Sequence, residues 1–346
     1  LYDIGNFLGH HLDGNALDLP AQTLLFVVIA AAFTLPLRER VVAIGFSLAT
    51  VVLGFASLYQ RYVMGVDRPY GLNGGDWAAV EFAMYLLVMA LLSMLQALRP
   101  GTRRGDRWLH GAAVLIGLYG AVLTQSRGPL LSFAPIYLGL VLWQISRTRH
   151  WKRVVLPLAA ILIGMLAVTA TLRREMLDRL TDVPAEISSY GESATGSVGA
   201  VGERLEMWRT AWQAFSEHPL AGIGLDQFGV YVRGQVAAGY SSASIAKYVH
   251  PHSEYLESMV AGGVPALLVL LLFLLVPLQF FARYVSRPEV AVAFPAMAGM
   301  MVIGLYCLCA FTDNVFYRAM PQSLYLFLVL GLTVAIGRQL RPPSVC

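Results

Sequence analysis

The residues best suited to chemistry gather in the segment YVHPHSEYLE (248–257), and His252 leads them. Pro251 holds φ near the value of a helix start and Ser253 can cap free backbone N–H groups, so the spacing predicts His252 in the first turn of the apolar helix that follows. At helical periodicity it shares a face with Leu256, Met259 and Gly263. The positive end of the helix dipole disfavours imidazolium there and favours a neutral ring able to take up a proton near pH 7. That is the requirement for a general base. The same position also suits a histidine that only caps a helix or meets lipid headgroups.

Three arginines could hold an anion. Arg127, in TQSRGPLL, falls in a four-residue hinge between two apolar blocks, on the side of the membrane with few basic residues. A guanidinium offers phosphate oxygens a planar two-pronged fork, so an anionic ligand would explain its place; snorkelling to headgroups is the alternative. Arg204, in GERLEMWR, opens an amphipathic helix one turn before Trp208 and follows its apolar stripe. Arg209, five residues on, lies about 140° around the axis, so the two cannot easily grip one phosphate, and Arg209 reads as a solvated or headgroup-facing charge. Gly222, Gly224 and Gly229 of PLAGIGLDQFGVY (219–231) serve a backbone turn, since a lone G-x-G is weak evidence for a phosphate loop. No D-x-D or E-x-D occurs, and Asp226, Glu203 and Glu254 are separated in sequence, so a metal site of clustered carboxylates is not expected. Cys307, Cys309 and Cys346 form no C-x-x-C and have no histidine at ligand spacing, which argues against zinc and against a disulfide framework.

The elements that must position these groups are membrane helices. The chain has 346 residues, 57% hydrophobic and only 13% charged, against about 25% charged in soluble proteins. Its net charge of +4 does not point to nucleic acid, because the basic residues are scattered between apolar blocks. Stretches long enough to cross about 30 Å of hydrocarbon fall near 20–37, 41–60, 77–98, 108–124, 129–146, 154–172, 254–282, 290–312 and 322–337. Arg38, Arg40, the cluster Arg99 to Arg107, the cluster Arg147 to Arg153, Arg283, Arg287, Arg338 and Arg341 occupy alternate loops; the loops opposite hold Arg61, Arg68, Arg127 and Arg318. The richer side is cytoplasmic. The expected fold is therefore an all-α integral membrane protein, a multi-span helical bundle. Residues 1–172 form six spans, 173–253 a large outward loop with an amphipathic helix at about 203–217, and 254–346 three more spans. In that helix Trp208, Ala211, Trp212 and Phe215 make the apolar stripe, and SYGESATGSVGAVG (189–202) before it reads as a mobile stretch. The opening residues lack the pattern of a signal peptide, and the expectation is that an N-terminal part precedes Leu1.

An S-R-G hinge, a G-E-R-x3-W helix, a P-L-x-G-I-G-x3-F turn and an H-S-x-Y-L helix start, in this order across roughly 120–275, resemble the O-antigen ligase family. Related families are the O-antigen polymerases and the protein O-oligosaccharyltransferases. The resemblance implies a glycosyltransferase-C-like fold of twelve spans in the Gram-negative inner membrane, with the large loop and the active site in the periplasm. Nine spans fit if three precede this chain. The family motif of His, then Asn, Ser or Gln, nine residues and G-x-x-G maps onto His252, Ser253 and Gly263, and departs from it at Ala266. The resemblance also implies a metal-independent, inverting transfer of an O-antigen glycan from undecaprenyl pyrophosphate to lipid A-core, with no cofactor. His252 would be the base and Arg127 and Arg204 the pyrophosphate grip; Arg209, Lys247, His250 and Tyr255 are possible lining residues. Polymerisation of the same donor and transfer to a protein hydroxyl are the enzymatic alternatives. A transporter for a lipid-linked glycan is the non-enzymatic one, disfavoured because ionisable groups cluster at the outer edge rather than deep in the spans.

Overall fold

The computed structural model describes residues 38–72, 78–148, 159 and 200–340. Among them the chain is helical without strands: α1 Glu39–Tyr62, α2 Ala79–Leu98, α3 Arg104–Leu123, α4 Arg127–Arg147, α5 Ala200–Glu217, α6 Phe228–Ala237, a 3-10 turn Ala243–Ile245, α7 Glu254–Tyr284, α8 Val290–Cys309 and α9 Ala319–Leu340. Helices α1, α2, α4, α7, α8 and α9 are long and apolar enough to cross a membrane. Seven of the expected spans correspond to helices here, the seventh being α3, whose first turn is polar. The spans expected at 20–37 and, save for Ala159, at 154–172 lie outside the described residues, as does most of the stretch 189–202.

The chain divides into two compact units. One takes in Phe26–Leu172, Val276–Cys309 and Ser323–Cys346. At its centre α2 is buried from Ala79 through Leu95 on nearly every side, as a helix apolar all round should be. Helix α1 is built the other way: Ser47, Thr50, Gly54 and Ser57 are among its buried residues, while Val41, Leu48, Val52, Phe55 and Tyr59 are exposed. Lipid is as apolar as leucine, so small and hydroxyl residues make the helix contacts and large ones face the acyl chains. A methyl group on Gly54 would lie 2.5 Å from the Ile116 side chain, and the Ser57 hydroxyl donates to the Gly120 carbonyl at 3.0 Å. Ser47 joins Ser93 at 2.9 Å and His110 Nδ1 at 2.7 Å, fastening α1, α2 and α3. At the helix ends Arg40 grips Asp106 through two N–H groups, at 2.6 and 2.9 Å, and Arg99 holds Glu39 at 2.8 Å. The starts of α1 and α3 and the end of α2 thus share one end of this unit. Arg147 donates to the carbonyls of Arg287 and Pro288, which ties the end of α4 to the α7–α8 loop.

The other unit takes in Leu1–Leu25, Arg173–Leu275 and Ala310–Gln322. Met207, Ala211 and Ala214 of α5 meet Phe228, Val232, Ile245 and Val260 in its core. The expected α5 stripe is displaced: Ala211 is buried, but Trp212 is 56% exposed. Two alanines one turn apart let α6 approach closely, and the indole is left at the flank against Phe215, ring centroids 5.5 Å apart.

Helix α7 breaks at Gly262 (φ −149°) and Gly263 (φ +66°, ψ −155°). The carbonyls freed by the break are used by the glycine-rich turn, for Ile223 N–H donates to Val260 at 2.8 Å and Gly224 N–H to Ala261 at 3.1 Å. In return Val264 N–H donates to Pro219 at 2.8 Å. The glycines at 222 and 224 serve the backbone, as expected. Gly222 has φ +66°, and a methyl group there would sit 2.4 Å from Gly262 N and Val260 O. One on Gly263 would sit 2.4 Å from Pro219 O.

Candidate functional site

His252 does not stand in the first turn of α7. It precedes the helix in the left-handed region, at φ +51°, and the Ser253 hydroxyl donates back to the Ala310 carbonyl at 3.4 Å instead of capping the helix. Pro251 made a helix start look one turn earlier than it is. The reason for the displacement is the segment 310–316, which is laced onto the first residue of α7. Glu254 N–H reaches the carbonyls of Ala310 at 2.9 Å and Asp313 at 3.2 Å, and Glu254 Oε2 accepts from Phe316 N–H at 2.9 Å. A left-handed non-glycine residue costs about 1–2 kcal/mol, and here the cost turns the imidazole toward that segment.

There it meets Asp313. His252 Nδ1 lies 3.2 Å from Asp313 Oδ1, and the same oxygen accepts from Asn314 N–H at 2.9 Å. Burial by itself would push the Asp313 carboxyl up. The hydrogen bond and charge of His252, the Asn314 N–H and the charge of Arg204 together outweigh it and hold the group below the ordinary carboxylate value. An ionised carboxylate only accepts, so Nδ1 is the nitrogen that donates to Asp313, and in a neutral ring held this way the lone pair is on Nε2. The His252 side chain is 26% exposed, enough for a hydroxyl to approach it.

Three rings flank the dyad. His250 meets His252 edge-on at 4.5 Å and lies 4.7 Å from Tyr317, and Tyr248 meets His252 edge-on at 5.4 Å. Burial, reinforced by the charge of His252, pushes His250 down to about 4, so it is neutral at pH 7 and adds no charge beside the dyad. Trp208 Nε1 donates to Pro251 O at 3.1 Å, fixing α5 to the histidine-bearing loop. This bond brings Arg204, one turn earlier, within electrostatic reach of Asp313. Arg318 acts on His250 and Tyr317 in the same way.

The other candidates each have their own local surroundings. Arg209 is not merely solvated: it grips Glu206 at 2.7 and 3.1 Å and donates to Tyr240 O at 2.7 Å, bracing the turn whose Ser242 N–H also reaches Glu206. Lys247 pairs with Glu203 at 2.9 Å, and Tyr248 donates to the other oxygen of that carboxylate. Tyr255 packs on Phe311, centroids 4.7 Å apart. Arg127 is the first residue of α4, in the unit that holds α1 to α4. Its hinge is braced by Arg68, which donates to Thr124 O, and by Ser126, whose hydroxyl donates to Ala79 O. Among the described residues no group of three or more His, Cys, Asp or Glu side chains is arranged to hold a metal ion.

Sequence reasoning missed Asp313, Tyr317 and Arg318. One signal existed: in TDNVFYR (312–318), between two apolar blocks, Asp313 is the last acidic residue of the chain.

The chain is 23% identical over 272 residues to a protein of Haemophilus influenzae described as uncharacterized, an alignment that covers 77% of this chain and 66% of that protein. The stretch from the middle of α3 to the far side of the α7 break, residues 112–271, with Arg127, Arg204, the glycine turn and His252 inside it and Asp313 beyond it, matches the family model for O-antigen ligase.

Proposed function

We propose that this protein is an inverting, metal-independent glycosyltransferase that joins O-antigen, carried on undecaprenyl pyrophosphate, to lipid A-core at the periplasmic face of the inner membrane. The observation that carries the proposal is the His252–Asp313 pair at 3.2 Å, partly open to solvent and within reach of the Arg204 charge. Asp313 keeps the proton on Nδ1. Nε2 takes the proton of the acceptor hydroxyl as that oxygen bonds to the anomeric carbon, and the bond from this carbon to the pyrophosphate oxygen breaks. Undecaprenyl pyrophosphate leaves with its charge neutralised by Arg204 and, in keeping with the family's S-R-G hinge, Arg127. Arg318, whose charge acts on His250 and Tyr317, joins them as a further cation.

The test is incubation of the purified protein with lipid-linked glycan, with and without lipid A-core. Product is expected only when lipid A-core is present; lengthening of the glycan without it would make the enzyme a polymerase. His252→Ala should abolish product while the helical circular dichroism is retained, and full activity in that variant would remove the proposed base. Activity should survive EDTA. Loss restored by a divalent ion would overturn the metal-free mechanism.

A further inference from the structure

The unit containing α1 to α4 holds a partly open cavity of about 290 Å³ that the transfer chemistry does not use. This is near the lower end, ~300 Å³, of small-molecule sites. Its walls are apolar, formed by Val42 and Phe46 of α1, Leu92 of α2, Ala298 of α8, and Phe327 and Leu332 of α9. Ser93 also lines it, with its hydroxyl already engaged by Ser47. Charged residues line it only at one end: Glu39 at the start of α1, Arg99 just past the end of α2, and Arg338 in the last turn of α9. These are the helix ends that the charge pattern assigns to the cytoplasm. Arg99 gives one N–H to Glu39, of the five that a guanidinium offers.

An apolar slot with a cationic mouth at headgroup depth fits one class of molecule, because basic pockets between spans on the cytoplasmic side recognise anionic lipid headgroups. Two arginines and one glutamate leave a single positive charge at the mouth, which matches one phosphodiester. We propose that this cavity holds an acyl chain of an anionic phospholipid from the cytoplasmic leaflet, with its phosphate at Arg99 and Arg338. The acyl chain lies among the residues of α1, α2, α8 and α9, and the site is separate from the glycan chemistry.

The experiment is native mass spectrometry of the full chain in neutral detergent, with phosphatidylglycerol or phosphatidylcholine of identical acyl chains. Phosphatidylglycerol should be retained about tenfold or more over phosphatidylcholine, since each arginine near a headgroup contributes about fivefold. Arg99→Gln with Arg338→Gln should abolish that preference, and Ala335→Phe, which fills the slot, should remove both adducts. Inorganic phosphate should leave the melting temperature unchanged where phosphatidylglycerol raises it. Equal retention of the two lipids, a preference that survives the arginine changes, or an equal response to inorganic phosphate would each overturn the proposal. None of these readouts depends on glycosyl transfer, so the two readings stand or fall separately.

Discussion

The His252–Asp313 pair at 3.2 Å depends on backbone conformation as much as on side-chain chemistry. A histidine after proline and before serine reads as a helix start, yet the ring reaches its partner because the residue is left-handed at φ +51° and outside the helix. Asp313 is 61 positions away, beyond two helices, α7 and α8, and no local pattern links the two. Asp313→Asn should lower turnover by about a hundredfold or more, through loss of the tautomer that exposes Nε2, with the acceptor KM little changed; steady-state kinetics would show it, and unaltered turnover would rule out the orienting role. The same variant carries a stability signature. The Asp313 carboxyl lies below its ordinary value, so its contribution is complete above about pH 4 and is lost as pH falls through the depressed value. The difference in melting temperature between wild type and variant should therefore shrink below that point. His250, held down to about 4, acts in a higher window. The unfolded chain takes up a proton near pH 6.5 and the folded one does not, so falling pH between about 6.5 and 4 should cost the wild type up to about 3 kcal/mol. His250→Phe should melt with a flatter pH dependence there, and identical curves would count against a buried neutral ring.

At the scale of elements, most of the helices followed from hydrophobicity alone. Blocks expected at 77–98 and 290–312 appear as Ala79–Leu98 and Val290–Cys309, because a run of apolar side chains in lipid must satisfy its backbone within the helix. Which face a helix buries was less legible. In α5 the conspicuous Trp212 is exposed and the small Ala211 and Ala214 are in the core, since close approach depends on what is missing from a face. The glycine turn was legible as a turn but not as a plug for a break in α7, because its partners Val260 and Ala261 are some forty residues on. Gly222→Ala should cost about 3 kcal/mol or more, combining a positive φ with a backbone clash. Thermal unfolding in detergent would measure it. A variant as stable as wild type would mean that the turn and the break are not locked together.

For the whole molecule, the charge pattern assigns to the cytoplasm the end of the unit where Arg40 meets Asp106 and Arg99 meets Glu39. With the native cysteines replaced by serine, Tyr240→Cys should react with a membrane-impermeant thiol reagent in spheroplasts, and Gly101→Cys only after permeabilisation. The opposite pattern would reverse the sidedness on which the periplasmic assignment rests. Length separates the membrane-spanning part of α7 from the rest. At 1.5 Å per residue, the 31 residues of α7 would reach about 46 Å, more than the ~30 Å of hydrocarbon, whereas the part from Val264 to Tyr284 spans about 31 Å. The break therefore also marks where one could splice. A hybrid that takes 219–224 from one homologue and 260–264 from another would pair a donor strip with an acceptor strip that never evolved together, so these two short segments should be inherited as a single cassette in recombined homologues, however freely the chain between them is exchanged.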